Sequence, residues 1–254
     1  MDLRRELRRT LHPAPPRLPD FLIIGVAKGA TTTLMHNLGR HPDIFVPPLE
    51  INFFDREQNY ARGEAWYRSQ FKSGSRLAGD KSPGYIYATH VHERMHQLLP
   101  EAKLLLILRD PVRRALSNWN MRVAKGKIDL GEGSTADAFD RLLDEYAARH
   151  DRAAPVPPPW DIVHRGRYAE QLRSLLRHYP RAQVSISITE RLATNPDPVY
   201  REIYDFLGVS FRSPDPTMKK RAGRYAPAKI SPGTTERLRE LYAPGRLATN
   251  LRLR

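Results

Sequence analysis

The sequence predicts an α/β fold, a single domain with a central parallel sheet flanked by helices. Two runs carry this reading. Phe21-Leu22-Ile23-Ile24 and Leu104-Leu105-Leu106-Ile107-Leu108 are apolar at every position, as strands buried on both faces of a parallel sheet are. Each run passes through a short turn into residues with the apolar spacing of a helix, the alternation of βα units. At 254 residues the chain is long enough to bury a sizeable core. A basic, proline-rich segment, residues 1–19, is expected to precede a domain over residues 20–254.

The opening strand, from Phe21, ends in Lys28-Gly29-Ala30, and Thr31, Thr32 and Thr33 start a helix expected to run to about Arg40, before His41-Pro42. A strand, a small-residue turn and a helix opening on hydroxyls make an anion site. The first N–H groups of the helix lack partners inside it, and its dipole is positive at that end. Lys28 adds a mobile full charge. A Walker A loop, G-x-x-x-x-G-K-[ST], is not present, because Lys28 precedes Gly29.

Ile44-Phe45-Val46 is a short apolar run closed by Pro47-Pro48. In Glu50-Ile51-Asn52-Phe53-Phe54-Asp55 polar and apolar residues alternate. An extended segment would put Glu50, Asn52 and, less strictly, Asp55 on one face, and that face reads equally well as the wet side of an edge strand. Arg62 to Phe71 reads as a short amphipathic helix, and the strand from Leu77 ends in Asp80-Lys81-Ser82-Pro83-Gly84-Tyr85. Val91 to Leu99 is a helix on which His90, His92 and His96 are expected at the surface rather than around a metal.

The strand Lys103–Leu108 delivers Arg109-Asp110-Pro111 to a helix carrying Arg113, Arg114, Ser117 and Trp119, with proline at its first position. A charge at the carboxyl end of a central strand stands where α/β sheets place ligands. Gly126 to Gly133 is a loop, Ala136 to Arg149 an amphipathic helix and Ala153 to Pro159 a proline-rich connector. Arg165-Gly166-Arg167-Tyr168 opens a helix through Leu176. A strand, Gln183 to Ile188, and a helix, Pro198 to Leu207, follow. Lys219 to Pro227 is a basic loop and Thr234 to Tyr242 the last helix.

The absence of cysteine excludes disulfides, thiolate metal sites and cysteine nucleophiles. A net charge of +14 and a pI near 10.2 call for anionic company without choosing among nucleic acid, membrane surface, phosphorylated cofactor and acidic substrate. No run approaches the ~20 apolar residues of a membrane span. The N-terminus has charges but no apolar signal region, so a cytoplasmic location is expected.

Taken together these stretches resemble the sulfotransferases that use 3′-phosphoadenosine 5′-phosphosulfate (PAPS), and within them the branch of the heparan sulfate N- and O-sulfotransferases and their bacterial relatives. Gly25-Val26-Ala27-Lys28-Gly29-Ala30-Thr31-Thr32 is similar to the family's 5′-phosphosulfate loop, where lysine precedes glycine. Glu50 to Asp55 resembles its Glu-x-His-Phe-Phe-Asp segment, and Asp80 to Tyr85 its Glu-Lys-Ser-Pro-x-Tyr segment. Arg109, with Ser117 eight residues on, looks like its 3′-phosphate site. Arg165-Gly166-x-Tyr168 and the Gly223-Arg224 loop, similar to a flap over the nucleotide, complete the set. One departure is Asn52, where the O-sulfotransferases usually have histidine.

The resemblance implies a P-loop-NTPase-like sulfotransferase fold and PAPS as co-substrate without a metal. It implies that Lys28 meets the bridging oxygen, that Gly29, Ala30, Thr31 and Thr32 hold the 5′-phosphate, and that Arg109 and Ser117 grip the 3′-phosphate with Gly223 and Arg224 closing over it. Glu50 would take the acceptor's proton, Lys81 would orient the sulfuryl group or the acceptor, and Asn52 and Asp55 would touch the acceptor, an anionic glycan or small molecule carrying a hydroxyl or amine. A soluble bacterial enzyme is expected. Two rival readings are a P-loop kinase or NTPase, against which the missing Gly-Lys-[Ser/Thr] speaks, and a nucleic-acid-binding protein, against which the scattered arginines speak.

Overall fold

A computed structural model describes residues 16–71, 77–149, 156–217 and 230–243. Its strands are β1 (Phe21–Gly25), β2 (Ile44–Phe45), β3 (Leu77–Lys81), β4 (Lys103–Leu108) and β5 (Val184–Ile188). The helices α1 (Thr31–Leu38), α2 (Glu57–Tyr60), α3 (Gly63–Ser69), α4 (Thr89–Leu98), α5 (Pro111–Ala124) and α6 (Thr135–Ala148) come first. After them follow α7 (Asp161–His164), α8 (Tyr168–Leu175), α9 (Thr189–Thr194), α10 (Pro196–Leu207) and α11 (Pro232–Tyr242).

The five strands form one sheet in the order β2-β3-β1-β4-β5, and every pairing is parallel. Alternate residues of the apolar runs explain why both faces are covered. Leu22, Ile24, Leu104 and Leu106 pack with Val91 and Met95 of α4 and Leu172 and Leu175 of α8. Phe21, Ile23, Leu105 and Ile107 pack with Leu34 and Leu38 of α1 and Tyr200 and Ile203 of α10. A third cluster, with Trp119, Phe139, Leu142, Ile162 and Leu238, joins α5, α6, α7 and α11 beside the sheet. Each of these fully buried aliphatic side chains contributes roughly 1.5–3 kcal/mol of transfer free energy, so the two central strands anchor everything mounted on them.

The connections from β1 and from β4 lead away to opposite sides of the sheet. The crevice between their carboxyl ends is therefore the switch point at which open parallel sheets bind ligands.

Several expectations are corrected. Residues 49–55 form no strand. Asn52 adopts a left-handed conformation (φ 49°) and the segment turns there, so Glu50, Asn52 and Asp55 do not line one extended face. His92 is not at the surface but fully buried. Its Nδ1 lies 3.0 Å from Ser174 Oγ and its Nε2 3.2 Å from the Ile86 carbonyl, tying α4 to α8 and to the loop after β3. Burial pushes its pKa down to about 4. The expected helix from Arg165 starts only at Tyr168, with the one-turn α7 before it, and α9 precedes the expected helix to Leu207. The sequence-predicted segment 1–19 lies outside the described residues up to residue 15.

Candidate active site

The carboxyl edge of the sheet brings most of the expected residues together. Between β1 and α1, Lys28 (φ 74°) and Ala30 (φ 67°) take left-handed conformations on either side of Gly29. A Cβ at Gly29 would stand 2.6 Å from the Ile107 carbonyl oxygen and 2.9 Å from that of Val26. Only glycine fits there, because the loop is pressed onto the end of β4. The helix behind it opens without a side-chain cap, which leaves its first-turn N–H groups for an anion. Thr31 is buried and Thr32 exposed at that opening.

Two strand ends are laced to this loop. Arg109, just past β4, donates from Nη1 to the Lys28 carbonyl at 3.0 Å, while the Tyr168 hydroxyl donates to the Arg109 carbonyl at 3.0 Å. The Thr189 hydroxyl, just past β5, stands 3.1 Å from the Gly29 carbonyl and 2.9 Å from that of Leu108. Asp110 does not pair with Arg109; its carboxylate caps α5 by accepting from the Arg113 N–H at 2.8 Å. On α5, Met121 brings its sulfur to 3.6 Å from Lys28 Nζ. Ser117 lies one turn earlier on the same face of α5.

The second half of the site starts at the end of β3, paired to β1 through Ile23 and Lys81. The buried Lys81 ammonium donates to the Glu50 carboxylate. The Glu50 side chain remains 41% exposed against 5% for Lys81, so the carboxylate is held from behind and open in front. The turn carrying it is gripped from both sides. Its Asn52 and Phe53 N–H groups donate to Ser82 Oγ at 2.9 Å and to the Tyr85 hydroxyl at 2.8 Å. Asn59 donates its amide to the Ile51 and Asn52 carbonyls at 2.8 and 3.2 Å. The Asn52 side chain, itself buried, folds back to the Glu50 carbonyl at 3.4 Å.

Asp55 is half-buried, and desolvation is the main cause raising its pKa. It packs on Gly84, where a Cβ would stand 2.2 Å from Asp55 Oδ2. Beyond it Arg165 stacks its guanidinium 4.1 Å from the centre of the Tyr87 ring and pairs with the buried Asp161 at 2.9 Å, to which Arg122 also donates at 2.7 Å.

The structure thus gathers Lys28, Gly29, Ala30, Thr31, Thr32 and Arg109 around the loop after β1, with Ser117 on α5 one turn before Met121, and sets Lys81, at the end of β3, against Glu50 in the turn after β2. Gly223 and Arg224 lie outside the described residues. Sequence reasoning missed Met121, Asn59, Thr189 and Tyr168 as site-building groups; only Tyr168 had a signal, its place in the Arg-Gly-x-Tyr stretch. Among the described residues no group of three or more histidines and acids is placed to hold a metal ion, and no helix is long and apolar enough to cross a membrane. A backbone anion cradle flanked by Lys28 and Arg109 fits a donor carrying separated phosphates.

Comparison with known proteins shows the family. The family model described as "Sulfotransferase domain" matches residues 18–223. Mouse heparan sulfate glucosamine 3-O-sulfotransferase 5 is 33% identical, over 78% of this chain and 56% of that protein. Human heparan sulfate glucosamine 3-O-sulfotransferase 6 is 30% identical, over 91% of this chain and 71% of that one. The chain spans about half the length of the curated mouse relatives it matches. Among solved structures, a sulfotransferase from Alicyclobacillus acidocaldarius superposes with a TM-score of 0.72 at 28% identity, covering 90% of this chain and 93% of that one.

Proposed function

The chain belongs to the sulfotransferase domain family, and from that premise we propose that it moves the sulfuryl group of PAPS to a hydroxyl or amine of a glycan or small-molecule acceptor, releasing adenosine 3′,5′-bisphosphate. The observation that carries this is the pairing of a backbone anion cradle at β1–α1 with a solvent-facing carboxylate held by a lysine of the adjacent strand. PAPS supplies an activated sulfuryl group on a phosphate leaving group. In-line transfer needs charge neutralised on the leaving phosphate and a proton removed from the attacking acceptor.

In this reading the N–H groups and hydroxyls from Gly29 to Thr32 hold the 5′-phosphate, and Lys28 meets the charge that develops on the bridging oxygen. Arg109 and Ser117 hold the 3′-phosphate, with Gly223 and Arg224 closing over it. Glu50 accepts the acceptor's proton, while Lys81 fixes the carboxylate's direction and balances its charge. Asp55 belongs to the acceptor side, and the buried Asn52 serves it by shaping the turn that presents Glu50. No step calls on a metal ion.

The relatives' names specify heparan sulfate glucosamine as their acceptor. An anionic glycan is the class we propose here as well, in keeping with the net charge of +14. The test is a thermal shift with adenosine 3′,5′-bisphosphate against ATP and magnesium, followed by an acceptor screen with labelled PAPS. Stabilisation by the bisphosphate, with label moving to a glycan acceptor, is expected. Stabilisation by ATP and magnesium alone would overturn the reading in favour of a kinase or NTPase.

A further inference from the structure

We infer that Asp80, Ser82 and Tyr85 are positioning residues for the general base, a buried carboxylate and two hydroxyls that set the backbone of the Glu50 turn from the end of β3, which also carries Lys81, and the loop that follows it. The inference rests on the reading of Glu50 as base. Ser82 Oγ donates to Asp80 Oδ1 at 3.0 Å, and the Tyr85 hydroxyl to Asp80 Oδ2 at 2.7 Å. Each hydroxyl has one proton to donate. With that proton directed at Asp80, its oxygen is turned to receive the N–H of Asn52 or of Phe53. The ionised carboxylate can only accept, so it orders both hydroxyls in the direction the turn requires.

The Tyr67 hydroxyl, from α3, completes the shell by donating to Asp80 Oδ2 at 3.0 Å. Asp80, Ser82, Tyr67 and Tyr85 are all fully buried, so no water competes for these bonds. β3 therefore presents Lys81 to the Glu50 side chain, and the loop leaving it presents an acceptor to the N–H groups of Asn52 and Phe53. Side chain and backbone of the base are indexed to one strand and the loop that follows it.

The charge state of Asp80 matters to this device. The groups facing it are Tyr67 from α3, Ser82 and Tyr85 from the loop after β3, and, at longer range, the Asp55 carboxyl. Burial raises its pKa to about 6, against the lowering effect of the three hydroxyls. Protonated, the carboxyl gains a donor of its own and no longer dictates the direction of both hydroxyls.

The test compares Tyr85→Phe and Ser82→Ala with the unaltered protein in sulfate transfer from PAPS, with bisphosphate affinity measured by calorimetry. Each substitution removes one hydroxyl and leaves one N–H of the turn without its acceptor. Both variants are expected to lose between roughly tenfold and a hundredfold in kcat, as a misplaced catalytic group does, with bisphosphate affinity and the KM for PAPS unchanged. In Asp80→Asn the acid limb of the kcat profile near pH 6 is expected to disappear. Ser82→Ala removes a single small hydroxyl and gives the same readout should Tyr85→Phe fail to fold. Unaltered kcat in the folded variants, whatever their melting temperature, would overturn the inference. Glu50→Gln in the same assay separates this from the underlying reading. A dead Glu50→Gln beside fully active Ser82→Ala and Tyr85→Phe removes the positioning role alone, whereas a fully active Glu50→Gln removes the base itself.

Discussion

The two halves of the site are held by different means. The loop from Gly25 to Thr33 is shaped mainly by its own backbone, two left-handed residues and a glycine pressed against β4, with the Arg109 and Thr189 side chains tied to two of its carbonyls. The Glu50 turn is shaped by side chains from elsewhere in the chain, namely Ser82, Tyr85, Asn59 and Lys81. The first half would hold a ligand whose charge is always present. In the proposed reaction the second would point one carboxylate at an acceptor, and a turn set by removable hydroxyls is the more vulnerable to substitution and to pH.

That contrast can be broken or sharpened by experiment. A large effect is expected from Lys28→Ala, which removes a full charge from the backbone-built half. Transfer should fall on the order of a hundredfold to a thousandfold, the scale of losing a group aimed at developing charge. The Glu50 turn contacts none of the Lys28 interactions described, so the melting temperature should hardly change. A variant with near-normal kcat would show that backbone N–H groups suffice at the bridging oxygen.

Acid should act on the side-chain-built half. His92, which anchors the loop carrying Tyr85, and the buried His164 both have pKa values lowered to about 4 by burial. The unfolded chain binds these protons more tightly, so the stability they lend is lost as pH falls from about 6.5 through about 4. Each is worth on the order of 3 kcal/mol over that window. Asp80 works in the opposite sense. Its pKa is raised to about 6, so its ionisation costs stability as pH rises from about 4 to about 6, by a comparable amount. Two histidines against one aspartate leave a net loss in acid, measurable as a falling urea midpoint between pH 7 and pH 4.5. A midpoint that rises on acidification would contradict the burial of both imidazoles.

A smaller effect is expected from Arg109→Ala. A charge-assisted contact to a phosphate is worth roughly 1.5–3 kcal/mol, so the KM for PAPS should rise on the order of tenfold to a hundredfold. An unchanged PAPS dependence would leave Arg109 as no more than a clasp on the Lys28 carbonyl.

The sequence revealed the first half of the site far better than the second. β1 and β4 were legible because strands buried on both faces are apolar at every position, and the loop because small residues and threonines must follow such a strand to open an anion site. Arg109 was legible as a charge at a strand end. The Glu50 turn was not. Alternating polarity suggests an extended segment, whereas Asn52 turns left-handed under hydrogen bonds from residues some thirty positions away, which no local periodicity contains. His92 misled for a related reason. Its helix face is covered by Ser174 and the Ile86 carbonyl, contacts that exist only once β3, α4 and α8 have packed. The helices α7 and α9, four and six residues long, are too short to show a period.

The most direct measurement of the central claim is transfer of labelled sulfate from PAPS by the unaltered protein and by Glu50→Gln, alongside calorimetric binding of adenosine 3′,5′-bisphosphate to both. Loss of a general base costs on the order of a hundredfold to ten-thousandfold in rate. The predicted result is transfer reduced by that factor, with bisphosphate affinity intact. Full transfer by Glu50→Gln, or failure of the unaltered protein to bind the bisphosphate, would contradict it.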